Sequence, residues 1–168
     1  CDTIKMIEDK NFSCTTDCGN IIEKDNFGTK AFNIMKAQYP NMPNVRISIK
    51  KTVPTNAGLG GGSSNGTAVL VGLNNLFKLE LSNQKLSEMA SEISSDSAFF
   101  VNGGLQFGSQ RGEALDLIQN IKIPKHILLV NPGIKISTKE AFGHLKNHLL
   151  NENMDINLSQ LLLSLIHI

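Results

Sequence analysis

The alternation of apolar and polar residues predicts a half-buried strand in the first third of the chain. In NVRISIKK, residues 44–51, Val45, Ile47 and Ile49 fall on one face and the polar residues between them on the other. Successive side chains of a strand point to opposite faces, so this spacing places three apolar residues in a core. A shorter strand is predicted at residues 2–8, with Ile4 and either Met6 or Ile7 inward. Two further short strands are predicted within 105–118, on either side of a Gly/Arg turn, and another at 127–130.

Apolar residues at helical spacing predict three helices before residue 100. The central one is capped by Ser63 or Ser64, runs to about Phe77 and is apolar on nearly every face, which indicates a buried helix. The other two helices have one apolar face each. The first covers residues 26–39, is capped by Asp25 or Asn26, and turns Phe27, Ala31, Ile34 and Met35 inward. The second covers residues 83–93, is capped by Ser82, and turns Leu86, Met89, Ala90 and Ile93 inward.

The order of these elements predicts an α+β fold, because strands and helices do not alternate regularly as they do in a parallel α/β sheet. Residues 11–20 are polar and interrupted by Cys and Gly, which fits the edge of a hairpin or a loop. The 168 residues are enough for one domain, or for one domain and a piece of another. The chain begins without Met and ends in the apolar NLSQLLLSLIHI, so we expect an internal piece of a longer protein.

Composition narrows the choice of partners. A net charge of +1 without a basic cluster argues against nucleic acid, and no apolar run is long enough to cross a membrane. The opening residues resemble no targeting peptide. The three cysteines lie near the start and far from the four histidines, so we expect free thiols in a reducing cytoplasm and no structural metal. A small molecule is the expected partner.

The most specific chemistry lies in PTNAGLGGGSSNG, residues 54–66, which holds five glycines. Glycine at this density is costly, because each one loses more backbone freedom on folding than other residues. The loop follows a strand with a basic end, at Lys50 and Lys51, and runs directly into a helix. A helix start offers free N–H groups and a positive dipole end to an anion, and Ser63 and Ser64 add hydroxyls. We therefore predict a loop that holds a di- or triphosphate, with the serine hydroxyls on phosphate or positioning Mg²⁺.

Two other glycine-loop motifs fit this segment less well. A P-loop, G-x-x-x-x-G-K-[ST], needs a Lys before the Ser or Thr, and none lies within this loop. A dinucleotide fingerprint, G-x-G-x-x-G, begins at Gly58 and Gly60, but its third glycine would fall at Ser63. A packing turn without a ligand is the remaining alternative, and it explains the Ser-Ser pair at a helix start less well.

Five separated motifs resemble those of the GHMP kinases, a family named for galactokinase, homoserine kinase, mevalonate kinase and phosphomevalonate kinase. PTNAGLGGGSSN is similar to the family pattern P-x-x-x-G-L-G-S/G-S-S. Its G-G-G-S-S variant, followed by GTAVLVGLNNLF, is most similar to the branch that acts on 4-diphosphocytidyl-2-C-methyl-D-erythritol. The resemblance covers roughly residues 2–145, and its other motifs are EKDNFGTKAF at 23–32, SDSAFF at 95–100, GSQRGE at 108–113 and NPGIKISTKEAF at 131–142.

This resemblance implies the GHMP two-domain α+β architecture. Residues 1–123 would form an ATP-binding domain similar to the second domain of a ribosomal protein, incomplete at its start, and residues 124–168 the beginning of a ferredoxin-like domain. It implies ATP and Mg²⁺ as cofactors, a monomer or homodimer, and transfer of phosphate to the 2-hydroxyl of the cytidyl substrate in non-mevalonate isoprenoid synthesis. A mevalonate- or homoserine-type kinase and a non-catalytic nucleotide-binding fragment remain as alternatives.

The resemblance also implies roles for single residues. Asp96 would be the catalytic base or orient the acceptor hydroxyl, although an Asp after Ser-Ser more often caps a turn. Thr138 would contact the acceptor or cap its helix. Asn26 and Phe27 would lie by the adenine; the alternative is that they are only a helix cap and its neighbour. Lys51 would lie near the nucleotide; the alternative is a solvated charge at the end of a strand. The loop residues implied in nucleotide binding are Pro54, Ala57, Gly58, Leu59, Gly60, Gly61, Gly62, Ser63, Ser64 and Asn65, the last of which is otherwise a helix-start residue.

The sequence departs from the family pattern in several places. Ser97-Ala98 stands where many relatives have Val-Pro, and Ser109-Gln110 replaces part of the G-x-G-R-G-E turn. We expect Arg111 and Glu113 to form a turn salt bridge or cap without chemistry. The P-A-K-[IL]-N-L and D-G-Y-H segments of the family and its late G-T-G-A/S-C loop are not in this chain, so this piece alone lacks segments that the family uses for the reaction. We also expect it to be poorly soluble, because a partial second domain leaves an unpaired sheet edge and exposed apolar surface.

Overall fold

The computed structural model describes residues 1–18, 23–55, 57–109, 114–118 and 128–130. The chain divides into two units, Cys1–Leu129 and Val130–Ile168. All the described helices and strands lie in the first unit.

A three-stranded sheet forms one layer of this unit. It consists of β1 (Thr3–Asp9), β2 (Ser13–Thr16) and β3 (Asn44–Lys50), in the order β1–β3–β2. Strand β3 pairs antiparallel with β1 and parallel with β2. The strand predicted from the alternation in NVRISIKK is confirmed, because its three apolar residues are buried in the core: Val45, Ile47 and Ile49.

The two outer strands of the described sheet refine the sequence prediction. On β1, Ile4 and Met6 pack against the core, whereas Ile7 is 42% exposed and points outward. The alternative of a hairpin for residues 11–20 is wrong, since β2 pairs parallel with β3 and a hairpin requires antiparallel neighbours. The chain reaches β3 from β2 through a helix instead, as a parallel pair requires.

Four α-helices are described in this unit, namely α1 (Phe27–Gln38), α2 (Gly61–Leu76), α3 (Asn83–Ile93) and the short α4 (Phe99–Asn102), and a 3-10 helix at Glu23–Asp25 precedes α1. The caps predicted for α1 and α3 are confirmed: Asn26 accepts from the Gly28 N–H at 2.8 Å, and Ser82 from the Lys85 N–H at 3.2 Å. One hydrophobic core joins the buried faces of α1, α2, α3 and β3. Its α3 members are those expected from the spacing: Leu86, Met89, Ala90 and Ile93.

A small second sheet follows α4. Strands β4 (Gln106–Ser109) and β5 (Ala114–Leu117) pair antiparallel, which confirms the two short strands predicted within 105–118. The strand predicted at 127–130 is wrong for residues 128–130, which are exposed and in no strand. A strand needs a partner for its backbone hydrogen bonds, and no described residue pairs with this apolar run.

Candidate phosphate-binding site

The glycine-rich loop joins β3 to α2 by way of two residues in the left-handed backbone conformation. Gly58 has φ of 69° and Gly60 has φ of 65°. Residues with a Cβ rarely adopt this conformation, so glycine at these two positions has a physical reason. Gly60 is itself the N-cap of α2, and no side chain caps this helix. The predicted cap at Ser63 or Ser64 is therefore wrong, because the left-handed Gly60 starts the helix one turn earlier.

The start of α2 leaves backbone donors free. The Ser64 N–H donates to the Gly60 carbonyl at 2.9 Å, which is the first bond of the helix. Among the hydrogen bonds of the described residues, none uses the N–H groups of Gly61, Gly62 or Ser63. These three donors lie at the positive end of a 16-residue helix. The three N–H donors and the helix dipole together favour the binding of an anion at this position.

Three side chains close around the glycines at the start of α2. A Cβ added to Gly60 would lie 2.9 Å from Cζ of Phe100, one added to Gly61 would lie 3.4 Å from Nζ of Lys51, and one added to Gly62 would lie 3.3 Å from Cδ2 of Phe27. Two aromatic rings and one ammonium group therefore lie close to these three glycines. Phe27 and Lys51, two residues singled out in the sequence, are brought to the loop in this way.

Asn26 and Phe27 sit where α1 begins. Asn26 is buried, and its side chain is used as the helix cap, which supports the plain structural role considered for it. The Phe27 ring contacts the α2 backbone at Gly62 and carries the Lys30 ammonium 4.8 Å from its centroid. The α1 start thus supplies an aromatic face and a positive charge beside the glycine loop.

A buried carboxylate at the chain start organises the base of the loop. Asp2 pairs with Nζ of Lys51, and their side chains are only 4% and 8% exposed. Its oxygens also accept from the N–H of Thr52 at 2.6 Å, the N–H of Val53 at 2.8 Å and Nδ2 of Asn65 at 2.9 Å. Burial opposes ionisation of this carboxyl, but the hydrogen bonds from Lys51, Val53, Thr52 and Asn65 outweigh it and hold its pKa well below its usual range.

Asp2 is the functional-site residue that the sequence analysis missed. Its partner Asn65 is 63 residues further along the chain, and Lys51 is 49 residues further. Hydrophobic periodicity and short motifs report only on neighbouring residues, so they carry no signal for this cluster. Lys51 is consequently a buried ion-pair partner and not a solvated strand end, and Asn65 ties α2 to Asp2, the residue that precedes β1.

The two serines at the start of α2 have different surroundings. Ser63 is buried, and its Oγ lies 2.9 Å from Oγ of Ser94, which in turn lies 2.7 Å from Oγ of Ser97. Ser64 is partly exposed, and its hydroxyl makes no hydrogen bond to any described residue. Of the two hydroxyls predicted to face the phosphates, the one on Ser64 is therefore free for that task, whereas Ser63 is engaged within the protein.

Asp96 lies in the turn between α3 and α4, directly beside this serine chain. Its neighbours Ser97 and Ala98 are buried, while Asp96 itself is exposed. Its carboxylate accepts no hydrogen bond from the described residues, and α4 has no side-chain cap. The alternative of an Asx-turn or helix cap for Asp96 is thus not supported. The turn meets the glycine loop through Phe100 on Gly60 and through Ser94 on Ser63.

The remaining predicted site residues divide into two groups. Pro54, Gly58 and Leu59 are exposed and Ala57 is partly buried, so this half of the loop borders solvent. Thr138, Arg111 and Glu113 lie outside the described residues. Within the described parts of the chain, no group of three His, Cys, Asp or Glu side chains is placed to hold a metal ion, and no helix has the length and apolar character of a membrane span.

A glycine-rich loop from a strand to a helix is typical of phosphate-binding α+β domains, and here no described residue binds the first N–H groups of the helix and the Asp96 turn lies beside them. Residues 26–104 match the family described as GHMP kinases N terminal domain. These residues belong to that domain, which spans α1 to the end of α4 and includes the glycine loop and Asp96. The α+β GHMP fold expected from the sequence is confirmed.

Particular relatives are named 4-diphosphocytidyl-2-C-methyl-D-erythritol kinase. The chain is 36% identical to the Prochlorococcus marinus protein over 82% of its own length and 44% of that protein, and 38% identical to the Bacillus cereus protein over 79% and 46%. A crystal structure of 4-(cytidine 5'-diphospho)-2C-methyl-D-erythritol kinase matches with a TM-score of 0.56 at 26% identity, over 70% of this chain and 41% of that one. Homoserine kinase from Cytophaga hutchinsonii shares the fold, with a TM-score of 0.65 at 18% identity over 84% and 50%.

The chain spans less than half the length of the curated relatives it matches. The stretch aligned with the Prochlorococcus marinus protein covers 138 residues of this chain and includes the glycine loop.

Proposed function

We propose that the protein carrying this chain is an ATP-dependent kinase that phosphorylates the 2-hydroxyl of 4-diphosphocytidyl-2-C-methyl-D-erythritol, a step in non-mevalonate isoprenoid precursor synthesis. The observation that carries the proposal is the glycine loop, in which the N–H groups of Gly61, Gly62 and Ser63 have no hydrogen-bond partner among the described residues, in a chain 36% identical to a kinase of that name. The homoserine kinase similarity is one of fold alone and does not favour a second substrate.

The phosphates of ATP would lie at the start of α2. The N–H groups of Gly61, Gly62 and Ser63 are donors at a helix N-terminus, and the Ser64 hydroxyl is a further donor beside them. A Cβ on Gly61 or Gly62 would press against Lys51 or Phe27, so glycine lets these two side chains lie close to the loop backbone. This loop needs no lysine within it, because backbone donors and the dipole supply the positive potential.

Phe27 and Lys51 would border the nucleotide on the side of β3 and α1. Phe27 presents a ring beside the loop, and the Lys51 ammonium is held by Asp2 near Gly61. Asn26 would act indirectly, by fixing the first turn of α1 through its cap. These residues would bind and orient the nucleotide, while bound ATP supplies the γ-phosphoryl group.

Asp96 would accept the proton of the acceptor hydroxyl as that oxygen bonds to the γ-phosphorus of ATP and the bond from this phosphorus to the bridging oxygen breaks, releasing ADP. An alcohol is a weak nucleophile at neutral pH, and an exposed carboxylate with no internal hydrogen bond is free to receive its proton. Most of the catalytic effect in phosphoryl transfer comes from positioning and charge stabilisation, which the loop supplies.

Magnesium would be held mainly by the phosphates. Mg²⁺ keeps several waters and takes only one or two protein oxygens at such sites. The protein oxygen beside the loop that fits this mode is the Ser64 hydroxyl, which has no hydrogen-bond partner among the described residues. The substrates would be small molecules handled in the cytoplasm, by a monomer or homodimer.

The test is an acceptor panel with the full-length protein. ATP and Mg²⁺ are supplied with the cytidyl substrate, homoserine or mevalonate, and phosphorylated product is detected by ³¹P NMR. We expect turnover with the cytidyl substrate and a background rate with the other two. Turnover of homoserine or mevalonate would show that the proposed cytidyl acceptor is wrong and would identify the acceptor as the compound that is phosphorylated. ATP binding without turnover of any acceptor would favour a non-catalytic nucleotide-binding protein.

A further inference from the structure

A chain of serine hydroxyls connects the glycine loop to the Asp96 turn. Oγ of Ser63, in the first turn of α2, lies 2.9 Å from Oγ of Ser94, the residue that ends α3. Oγ of Ser94 lies 2.7 Å from Oγ of Ser97, which is fully buried and adjoins Asp96. The three hydroxyls form one continuous hydrogen-bonded path between the two halves of the site.

A second hydrogen bond closes the same junction from α2. Oγ1 of Thr67, one turn beyond Ser63, donates to the carbonyl of Ser97 at 2.7 Å. The turn is also tied internally, because the Ser97 N–H donates to the Ser94 carbonyl at 3.1 Å and the Phe100 N–H to the Ser97 carbonyl at 3.1 Å. Ser97 thus fixes the turn to α2 through both its side chain and its backbone.

The charged residue of this turn has no fixed partner of its own. Asp96 is exposed and makes no hydrogen bond to the described residues, so its position depends on the buried residues that flank it. Ser94 is the only one of the three serines that touches both of the others, and its removal would break the path at its centre. Ser97 is also one of the positions at which the sequence departs from the family pattern.

We infer that Ser94 is a positioning residue, which holds the Asp96 turn at a fixed distance from the phosphate-binding start of α2. This inference rests on the proposed function. In phosphoryl transfer the reacting groups must be held in line and close together, and a small misplacement slows the reaction without weakening nucleotide binding. Ser94 would therefore contribute to kcat and leave KM for ATP unchanged.

The test compares Ser94→Ala, Ser94→Thr and the control Ser91→Ala in the full-length protein. Ser94→Ala removes both hydrogen bonds of the path, whereas Ser94→Thr keeps the hydroxyl and suits the extended backbone of this residue, with φ of −165° and ψ of 160°. Ser91 lies on the same helix, but its Oγ donates only locally, to the Glu88 carbonyl at 2.7 Å on the exposed face.

We expect Ser94→Ala to lower kcat about tenfold with KM for ATP changed by less than about twofold, and Ser94→Thr to restore kcat. Ser91→Ala should match the unmodified protein. An unchanged kcat in Ser94→Ala would overturn the inference while leaving the kinase assignment intact. A rise in KM for ATP with unchanged kcat would also overturn it, since the serine path would then support nucleotide binding only.

Amide hydrogen exchange gives a second readout that needs no turnover. We expect Ser94→Ala to speed exchange at the N–H groups of Ser97 and Phe100, Ser94→Thr to restore it, and Ser91→Ala to leave it unchanged. Unaltered exchange at both amides in Ser94→Ala would show that the turn is held without Ser94, and this would overturn the inference even if the protein phosphorylates none of the acceptors. Absence of turnover in the unmodified protein would instead count against the proposed function.

Discussion

Removing the Asp2 carboxylate should loosen the base of the glycine loop. In Asp2→Ala, the Lys51 ammonium stays buried without its partner, and the N–H groups of Thr52 and Val53 lose their acceptor. Breaking one side of a buried ion pair costs roughly 3–5 kcal/mol. The cluster lies close to the protein surface, so we take the lower end, about 3 kcal/mol, for local opening.

Amide hydrogen exchange measures this opening residue by residue in the full-length protein. A loss of about 3 kcal/mol corresponds to exchange on the order of 10²-fold faster at Thr52 and Val53, because 1.4 kcal/mol is a factor of ten. Asp9→Ala is the matched control, since Asp9 also pairs across the sheet, with Arg46, but on its exposed side. We expect Asp9→Ala to leave exchange at Thr52 and Val53 unchanged.

The pH dependence provides an independent check on the charge. The pKa of Asp2 is lower in the folded protein than in the unfolded chain, so its ionised form stabilises the fold. This contribution is fully present above the unfolded pKa of about 3.9 and is lost as the pH falls below it towards the folded pKa. Stability should therefore fall on acidification below about pH 5, and less steeply in Asp2→Ala. Equal exchange rates and equal acid sensitivity in Asp2→Ala and Asp9→Ala would refute the argument.

Two further substitutions test the loop and the core. Gly60→Ala should cost about 1–2 kcal/mol of left-handed strain and push Phe100 away, since the new Cβ would lie 2.9 Å from its ring. Calorimetry should show weaker ATP binding, whereas Gly103→Ala should cost backbone strain without displacing a neighbour, because Gly103 has φ of 62° and ψ of −160° and open space around it. Leu73→Ala should destabilise the domain by roughly 2–5 kcal/mol in urea unfolding because Leu73 is fully buried. Leu76→Ala on the same helix should change stability little, and equal effects would contradict the described packing.

The parts of the fold that depend on local patterns could be predicted from the sequence. Strand β3 and helix α3 match their predicted bounds closely, because alternation and helical spacing are properties of neighbouring residues. The start of α2 could not be predicted in the same way. Serine is the commoner N-cap, but here a left-handed glycine begins the helix and Ser63 bonds to Ser94, 31 residues further on.

The candidate site shows the same division. The glycine loop and the Asp96 turn could be named from short motifs, and the structure brings them together through Phe100 and the serine path. Asp2 could not be found, because the ion pair that gives it importance exists only after β1 has paired with β3. The parallel pairing of β2 is likewise a tertiary outcome, which no local pattern encodes.

The most direct test of the proposed site is Asp96→Asn in the full-length protein, assayed for both turnover and ATP affinity. Asparagine has the same shape as aspartate but cannot accept the proton of the acceptor hydroxyl, so we expect kcat to fall by roughly 10²-fold or more. The loop donors at Gly61, Gly62 and Ser63 are untouched, so calorimetry should give an unchanged Kd for ATP. Near-normal turnover in Asp96→Asn would contradict the account, because the carboxylate beside the phosphate loop would then have no part in the chemistry.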